Sequence, residues 1–172
     1  TDEYYGQGRA DHNFSERDNM FVRYTGDGTE QFQPNGFEYF QSLRFSRSQF
    51  GTISENHVFS PTLINTARFS YSRTNLGGQD VTTDDKLTGP QFSFVPGLAA
   101  GAILVSGLSN WGSNGTQSSA KQNIFTYSDD VVYTRGTHTI KMGTLINRFQ
   151  QWMIGSIFHR GSVSFSNVAS FL

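Results

Sequence analysis

Strict alternation of side-chain character limits what this chain can fold into more than any other feature. Arg68-Phe69-Ser70-Tyr71-Ser72 puts a ring at every second position. The rhythm returns in Phe125-Thr126-Tyr127-Ser128, Ile140-Lys141-Met142-Gly143 and Val163-Ser164-Phe165-Ser166. A period of two sends successive side chains to opposite faces of a β-strand, so each segment carries one apolar flank and one polar flank. The apolar flank is aromatic; the polar one holds small hydroxyl and charged residues. A soluble sandwich turns its polar flank outward, whereas a membrane-spanning barrel wall turns its apolar flank to lipid and its polar flank to the lumen. The aromatic character of these flanks fits the wall.

Composition supports the same reading. Hydrophobic residues make up 35% and aromatics 15% of the 172 residues, with Phe the largest apolar contributor. A soluble core draws more on Leu, Ile and Val. Thinly spread apolar residues suit strands that are greasy only at alternate positions, and they argue against disorder. A net charge of −1 gives no electrostatic case for nucleic acid. Ten of the thirteen basic residues are Arg, the exceptions being Lys86, Lys121 and Lys141. The absence of cysteine excludes a disulfide scaffold and thiolate metal ligation. The longest mostly apolar run, Phe94 to Val105, is broken by Pro96, Gly97 and Gly101 and is too short for a membrane helix. An opening of Thr1-Asp2-Glu3-Tyr4 suggests a processed product or part of something larger.

The pattern predicts seven strands: 4–14, 20–25, 50–59, 63–74, 121–134, 138–149 and 162–167. Ser15 to Asn19, Ser60-Pro61-Thr62 and Arg135-Gly136-Thr137 are short turns, and Pro61 ends its strand by fixing φ and removing a donor. Long loops are expected at about 26–48 and 75–119. Short turns alternating with long loops are what outer-membrane barrels show, the short side facing the periplasm. The expected fold is therefore all-β: a single segment over 1–172, an antiparallel meander of about seven to eight strands with long loops, part of or resembling an outer-membrane β-barrel. Seven is odd where bacterial single-chain barrels use even numbers. An eighth strand within Phe37–Arg47 or Gln91–Val95, or an incomplete chain, would remove the mismatch, and the incomplete chain is favoured.

Sites of chemistry are sparse. Asp129-Asp130 would diverge to opposite faces of a strand. Asp84-Asp85 lacks the spacing of an EF-hand. His12, His57, His138 and His159 are scattered along the sequence, so no metal site and no cofactor is expected. Gly6-Gln7-Gly8 lacks a third glycine, and no Gly-x-Ser-x-Gly elbow occurs, so the chain is not expected to be an enzyme. Arg9, Arg23, Arg68 and Arg148 are expected to line a polar lumen, and Arg23, Arg68, Arg148 and Trp111 are the candidate ligand contacts. Tyr24, Tyr71, Tyr127, Tyr133 and Trp152 fit an interfacial aromatic girdle better than a sugar-stacking platform. Asp11, Pro61, Arg135, Gly136 and His138 are turn and motif positions.

Several blocks carry a resemblance. Gly8-Arg9-Ala10-Asp11-His12-Asn13-Phe14 followed by Phe21-Val22-Arg23-Tyr24 resembles the strand pair that opens the barrel region of Oar-like TonB-dependent receptors. Asn56 to Asn65 with Arg68-Phe69-Ser70-Tyr71, Phe94-Val95-Pro96-Gly97-Leu98, and Gln122-Asn123 through Asp129-Asp130 are similar to later blocks. Thr134 to Gly143 resembles a hairpin widespread in such barrels. The resemblance implies a large bacterial outer-membrane barrel with an N-terminal plug that takes up siderophores, cobalamin, oligosaccharides or peptides. It makes the glycosylation sequons at Asn13 and Asn114 irrelevant. A barrel of that size needs several times this length, and coupling to the TonB system would run only through a plug outside this chain.

The leading expectation is a segment of such a receptor wall in the bacterial outer membrane, with a structural or transport role. Its partners would be outer-membrane lipid or neighbouring barrel strands. One alternative is a β-rich protein pairing edge to edge into a homo-oligomer or filament, at the cell surface or outside the cell. Another is a secreted carbohydrate-binding β-sandwich.

Overall fold

The computed structural model describes residues 1–172, with the side chains of all but Asp85, Leu87 and Pro90. Six strands form one antiparallel meander: β1 (Asp2–Asn13), β2 (Asp18–Asn35), β3 (Phe37–Ser60), β4 (Leu63–Thr82), then β6 (Gln117–Arg135) and β7 (His138–Ser156). Two short strands, β5 (Ala102–Val105) and β8 (Ser162–Phe165), pair in parallel as a separate small sheet. Among the described residues, no helix is long and apolar enough to cross a membrane.

Directly opposed residues of an antiparallel ladder share a face, so the register identifies both faces. Val22, Ile53, Phe69, Tyr127 and Ile146 form one row across five strands. Tyr24, Gly51, Tyr71 and Phe125 form the next. Phe69 meets Tyr127 with ring centroids 5.0 Å apart, and Tyr71 meets Phe125 at 5.1 Å. Such cross-strand aromatic pairs are the unit of sheet stabilisation, contributing about 0.2–1 kcal/mol each. Glycine opposite a ring serves the same face. A Cβ on Gly28 would lie 2.1 Å from the ring of Tyr4, and one on Gly77 2.8 Å from that of Phe45. Only glycine leaves room for those rings to lie flat.

Three short turns cluster at one end of the sheet: residues 14–17, Pro61-Thr62 and Gly136-Thr137. Ser15 Oγ accepts the Arg17 and Asp18 N–H groups and donates to Asp18 Oδ2 at 2.6 Å. Gly136 turns with φ +59°. The opposite end carries the Gly36 tip, residues 83–116 and residues 157–172.

Several expectations change here. Residues 26–48 are not a loop: β2 and β3 stay paired from Gly26↔Gln49 to Pro34↔Gln41 and reverse at Gly36, φ +67°. The expected loop 75–119 shrinks to 83–116, because β4 runs on to Thr82 and β6 begins at Gln117. Phe37–Arg47 belongs to β3, while Gln91–Val95 is no strand and begins within the 3-10 turn Pro90–Phe92. The expected seventh wall strand is β8, which pairs with β5 outside the wall. Hydrophobic alternation located strands well but could not say which sheet each would join.

The buried core is small and off-centre. Among the described residues Phe40, Ala100, Ala102 and Val105 are its buried hydrophobic members. It lies where the insert (83–116 with 157–172) packs onto the far end of β3 and β4. Trp111 sits edge-on to Phe40 at 5.5 Å and to Phe92 at 6.2 Å. Ile103 and Trp111 exchange two backbone bonds of 2.7 and 3.0 Å.

Candidate functional site

The two faces of the wall and the insert over one of them are the candidate site. The first face holds the aromatic rows described above. The second holds Arg9, Arg23, Thr52, Ser54, Arg68 and Ser70, among others, on neighbouring strands. Its polar groups are knitted across the sheet. Asn56 Nδ2 donates to Asn19 Oδ1 at 2.9 Å, Thr66 Oγ1 donates to Asn56 Oδ1 at 2.7 Å, and Thr126 Oγ1 donates to Asn147 Oδ1 at 2.7 Å.

The insert chooses between the faces. Phe40, Ser42 and Asp80, which it covers, all lie on the polar face. Asp80 is the hub: its carboxylate accepts from Ser42 Oγ (2.7 Å), Ser113 Oγ (2.5 Å) and the Thr116 N–H (3.0 Å). Asn35 Nδ2 extends the network by donating to Ser42 Oγ at 2.8 Å. Arg160, from the last segment, donates to the Asp80 carbonyl at 2.7 Å. Burial lowers the Arg160 pKa from its ordinary value, and the nearby Asp80 charge opposes that shift. A polar cleft of about 330 Å³ opens beside this hub, lined by Asn35, Asp80, Ser109, Asn110, Ser113 and Asn114 among others. The aromatic face keeps its rings uncovered and carries a shallow apolar groove of about 410 Å³ that includes Met20, Ile53, Phe69, Tyr127 and Ile146.

The predicted residues divide between these surfaces. Arg23 and Arg68 stand on the polar face, and Arg9 lies over Phe21 with its guanidinium 4.1 Å from the ring centre. Arg148 does not join them: it lies opposite Phe125, on the aromatic face. Trp111 is packed inside the insert as a structural ring. Asp11 accepts both Nε and Nη2 of Arg9. Pro61 and Gly136 lie in the short turns, while Arg135 and His138, the last residue of β6 and the first of β7, face each other across the second. Tyr133 is near the end of β6, but Tyr24 is interior to β2, so the girdle position expected for it is lost. Asp129 and Asp130 diverge as expected; Asp129 accepts from Asn65 Nδ2 at 2.9 Å, while Asp130 faces Gly143. Asp84 caps α1 (Asp85–Thr88) by accepting the Lys86 N–H at 2.8 Å, and the side chain of Asp85 lies outside the described residues.

Sequence spacing missed two groupings. The Asp80 hub joins residues as far apart as 35 and 160, and nothing local in the chain announces it. Asp18, Glu55 and His57 also converge, because β2 and β3 pair Asp18 directly with His57.

Strand length matters for both faces. A spanning strand needs about 9–11 residues. β3 has 24 and β2 has 18. At about 3.3 Å per residue and a tilt near 45°, β3 rises roughly 55 Å, about twice the apolar band of an outer-membrane wall.

A family model described as "Outer membrane beta barrel domain" matches residues 1–172. No curated protein and no solved structure matches the chain.

Proposed function

Because the chain belongs to the outer membrane beta barrel domain family, we propose that it forms part of the wall of an outer-membrane transport barrel of the TonB-dependent, Oar-like kind. In this reading its aromatic face meets lipid, and its polar face and insert line the solute path. It performs no chemistry of its own. The observation that carries this is the position of the insert. It folds over the polar face at the end away from the short turns, as a loop constricting a lumen would, and leaves the apolar band bare. The cleft beside Asp80 offers carboxylate, amide and hydroxyl groups to a polar solute. Lipid tolerates no unpaired strand edge, so β1 and β7 take neighbouring barrel strands as partners. The alternative, edge-to-edge assembly of copies in water, draws on the same two edges.

The sequence has no cysteine, so single-cysteine labelling is clean. Cysteines placed one at a time at Phe69, Ser70, Tyr71 and Ser72 are treated with a charged maleimide in phospholipid vesicles. Ser70 and Ser72 positions should label and Phe69 and Tyr71 positions should not. Uniform labelling, or the reverse pattern, would sink the orientation. The finer receptor reading requires solute uptake by cells carrying the protein to stop when the inner-membrane proton gradient is collapsed.

A further inference from the structure

We propose that Asp18, Glu55 and His57 bind a divalent transition-metal ion, linking β2 to β3 near the short-turn end of the wall. The proposal goes beyond the transport reading; the register sets all three residues on the face of the aromatic rows, at its short-turn margin. One ligand atom from each residue, a carboxylate oxygen from Asp18 and Glu55 and a ring nitrogen from His57, lies within 4.8 Å of the other two. Ligands about 2.0–2.2 Å from a tetrahedral zinc ion are roughly 3.3–3.6 Å apart. Small side-chain rotations therefore close the site.

The backbone already supplies the placement. Asp18 and His57 are directly opposed in the β2–β3 ladder, and Glu55 is two residues from His57 on the same face. Two supports hold the donors in place. Ser15 Oγ donates to Asp18, and the His57 ring packs on Phe59 with centroids 4.2 Å apart. Supports of this kind orient metal ligands before the ion arrives. The Asp18 carboxylate also contacts His57 Nδ1, an interaction the ion would replace.

Charge and chemistry narrow the ligand. Two carboxylates and one imidazole stand beside Met20, Ile53 and Phe59, and among the described residues neither Asp18 nor Glu55 forms an ion pair with a lysine or arginine. Two carboxylates a few ångströms apart repel, and a cation between them offsets that repulsion. The imidazole selects zinc-like ions over calcium and magnesium, which take oxygen ligands. Three protein donors leave a fourth position for water.

The test is titration of the folded protein in detergent with Zn²⁺, followed by calorimetry and by the midpoint of thermal unfolding. One equivalent should bind and raise the midpoint. Affinity should fall at least about tenfold in Glu55→Gln and in His57→Gln. Absence of binding, affinity unchanged in both variants, or Ca²⁺ binding as tight as Zn²⁺ would overturn the proposal. Should either variant fail to fold, Co²⁺ added to the unaltered protein decides. An intense visible band of a low-coordinate imidazole–carboxylate complex supports the site, and the weak spectrum of the hydrated ion refutes it.

Discussion

A charge at Phe69 separates the two assignments of the faces by energy. Phe69 follows the first residue of β4, Leu63, by six positions, so at about 3.3 Å per residue and a 45° tilt it stands roughly 14 Å above the short-turn end. That is near the midplane of an apolar band about 25 Å tall. Phe69→Arg there costs about 2–4 kcal/mol if its face meets lipid. Loss of its cross-strand contact with Tyr127, at 5.0 Å, adds about 0.2–1 kcal/mol. Ser70→Arg, one residue along and on the opposite face, should cost about 1 kcal/mol or less. The variants should then differ by at least about 1.2 kcal/mol, or roughly eightfold in the folding equilibrium. Urea unfolding in phospholipid vesicles, followed by the fluorescence of Trp111 and Trp152, measures this. Equal costs, or a larger cost for Ser70→Arg, would refute the lipid-facing assignment of the aromatic rows.

Three further outcomes are expected. Gly36→Ala puts a Cβ 2.6 Å from the Asn110 carbonyl oxygen at a φ of +67°; it should destabilise the β2–β3 tip by about 1–2 kcal/mol or more, seen as faster amide exchange at Asn35 and Phe37. Asp80→Ala leaves the donors of Ser42, Ser113 and Thr116 without their acceptor, weakening insert docking by about 2–4 kcal/mol. Limited proteolysis should then cut within residues 83–116 while the six-stranded sheet stays intact. Phe158 holds a φ of +63° with an exposed side chain, so Phe158→Gly should stabilise the terminal segment by about 1 kcal/mol, read as slower proteolysis there.

Strands 4–14, 63–74, 121–134 and 138–149 were legible from the chain because a sheet with one apolar and one polar face stamps a period of two on the sequence. Phe69, Tyr71, Tyr127 and Met142 all fall on the face that alternation assigned to them. Toward the far end of β2 and β3 the alternation fades although pairing continues. Gly26, Asp27, Gly28 and Gln31 therefore read as loop, yet they lie in β2. Val163 and Phe165 alternate as wall residues do, but their partner is a strand of the insert. Arg148 keeps the composition of a lumen residue and takes the other face, since only register fixes facing. The convergence of Asp18, Glu55 and His57 was invisible for the same reason, being a product of which strand lies beside which.

The bare flanks of β1 and β7 carry a consequence for how the protein must be made. If neighbouring barrel strands complete them, as proposed, each flank would until then offer unsatisfied amides and carbonyls to whatever extended chain arrived first, and the adjoining rings would make that capture sticky. In water this wall is a seed for clumping rather than a resting intermediate. On that reading its passage to the membrane would have to be escorted or fast, and a delay should show as insoluble material before any defect in a finished barrel appears.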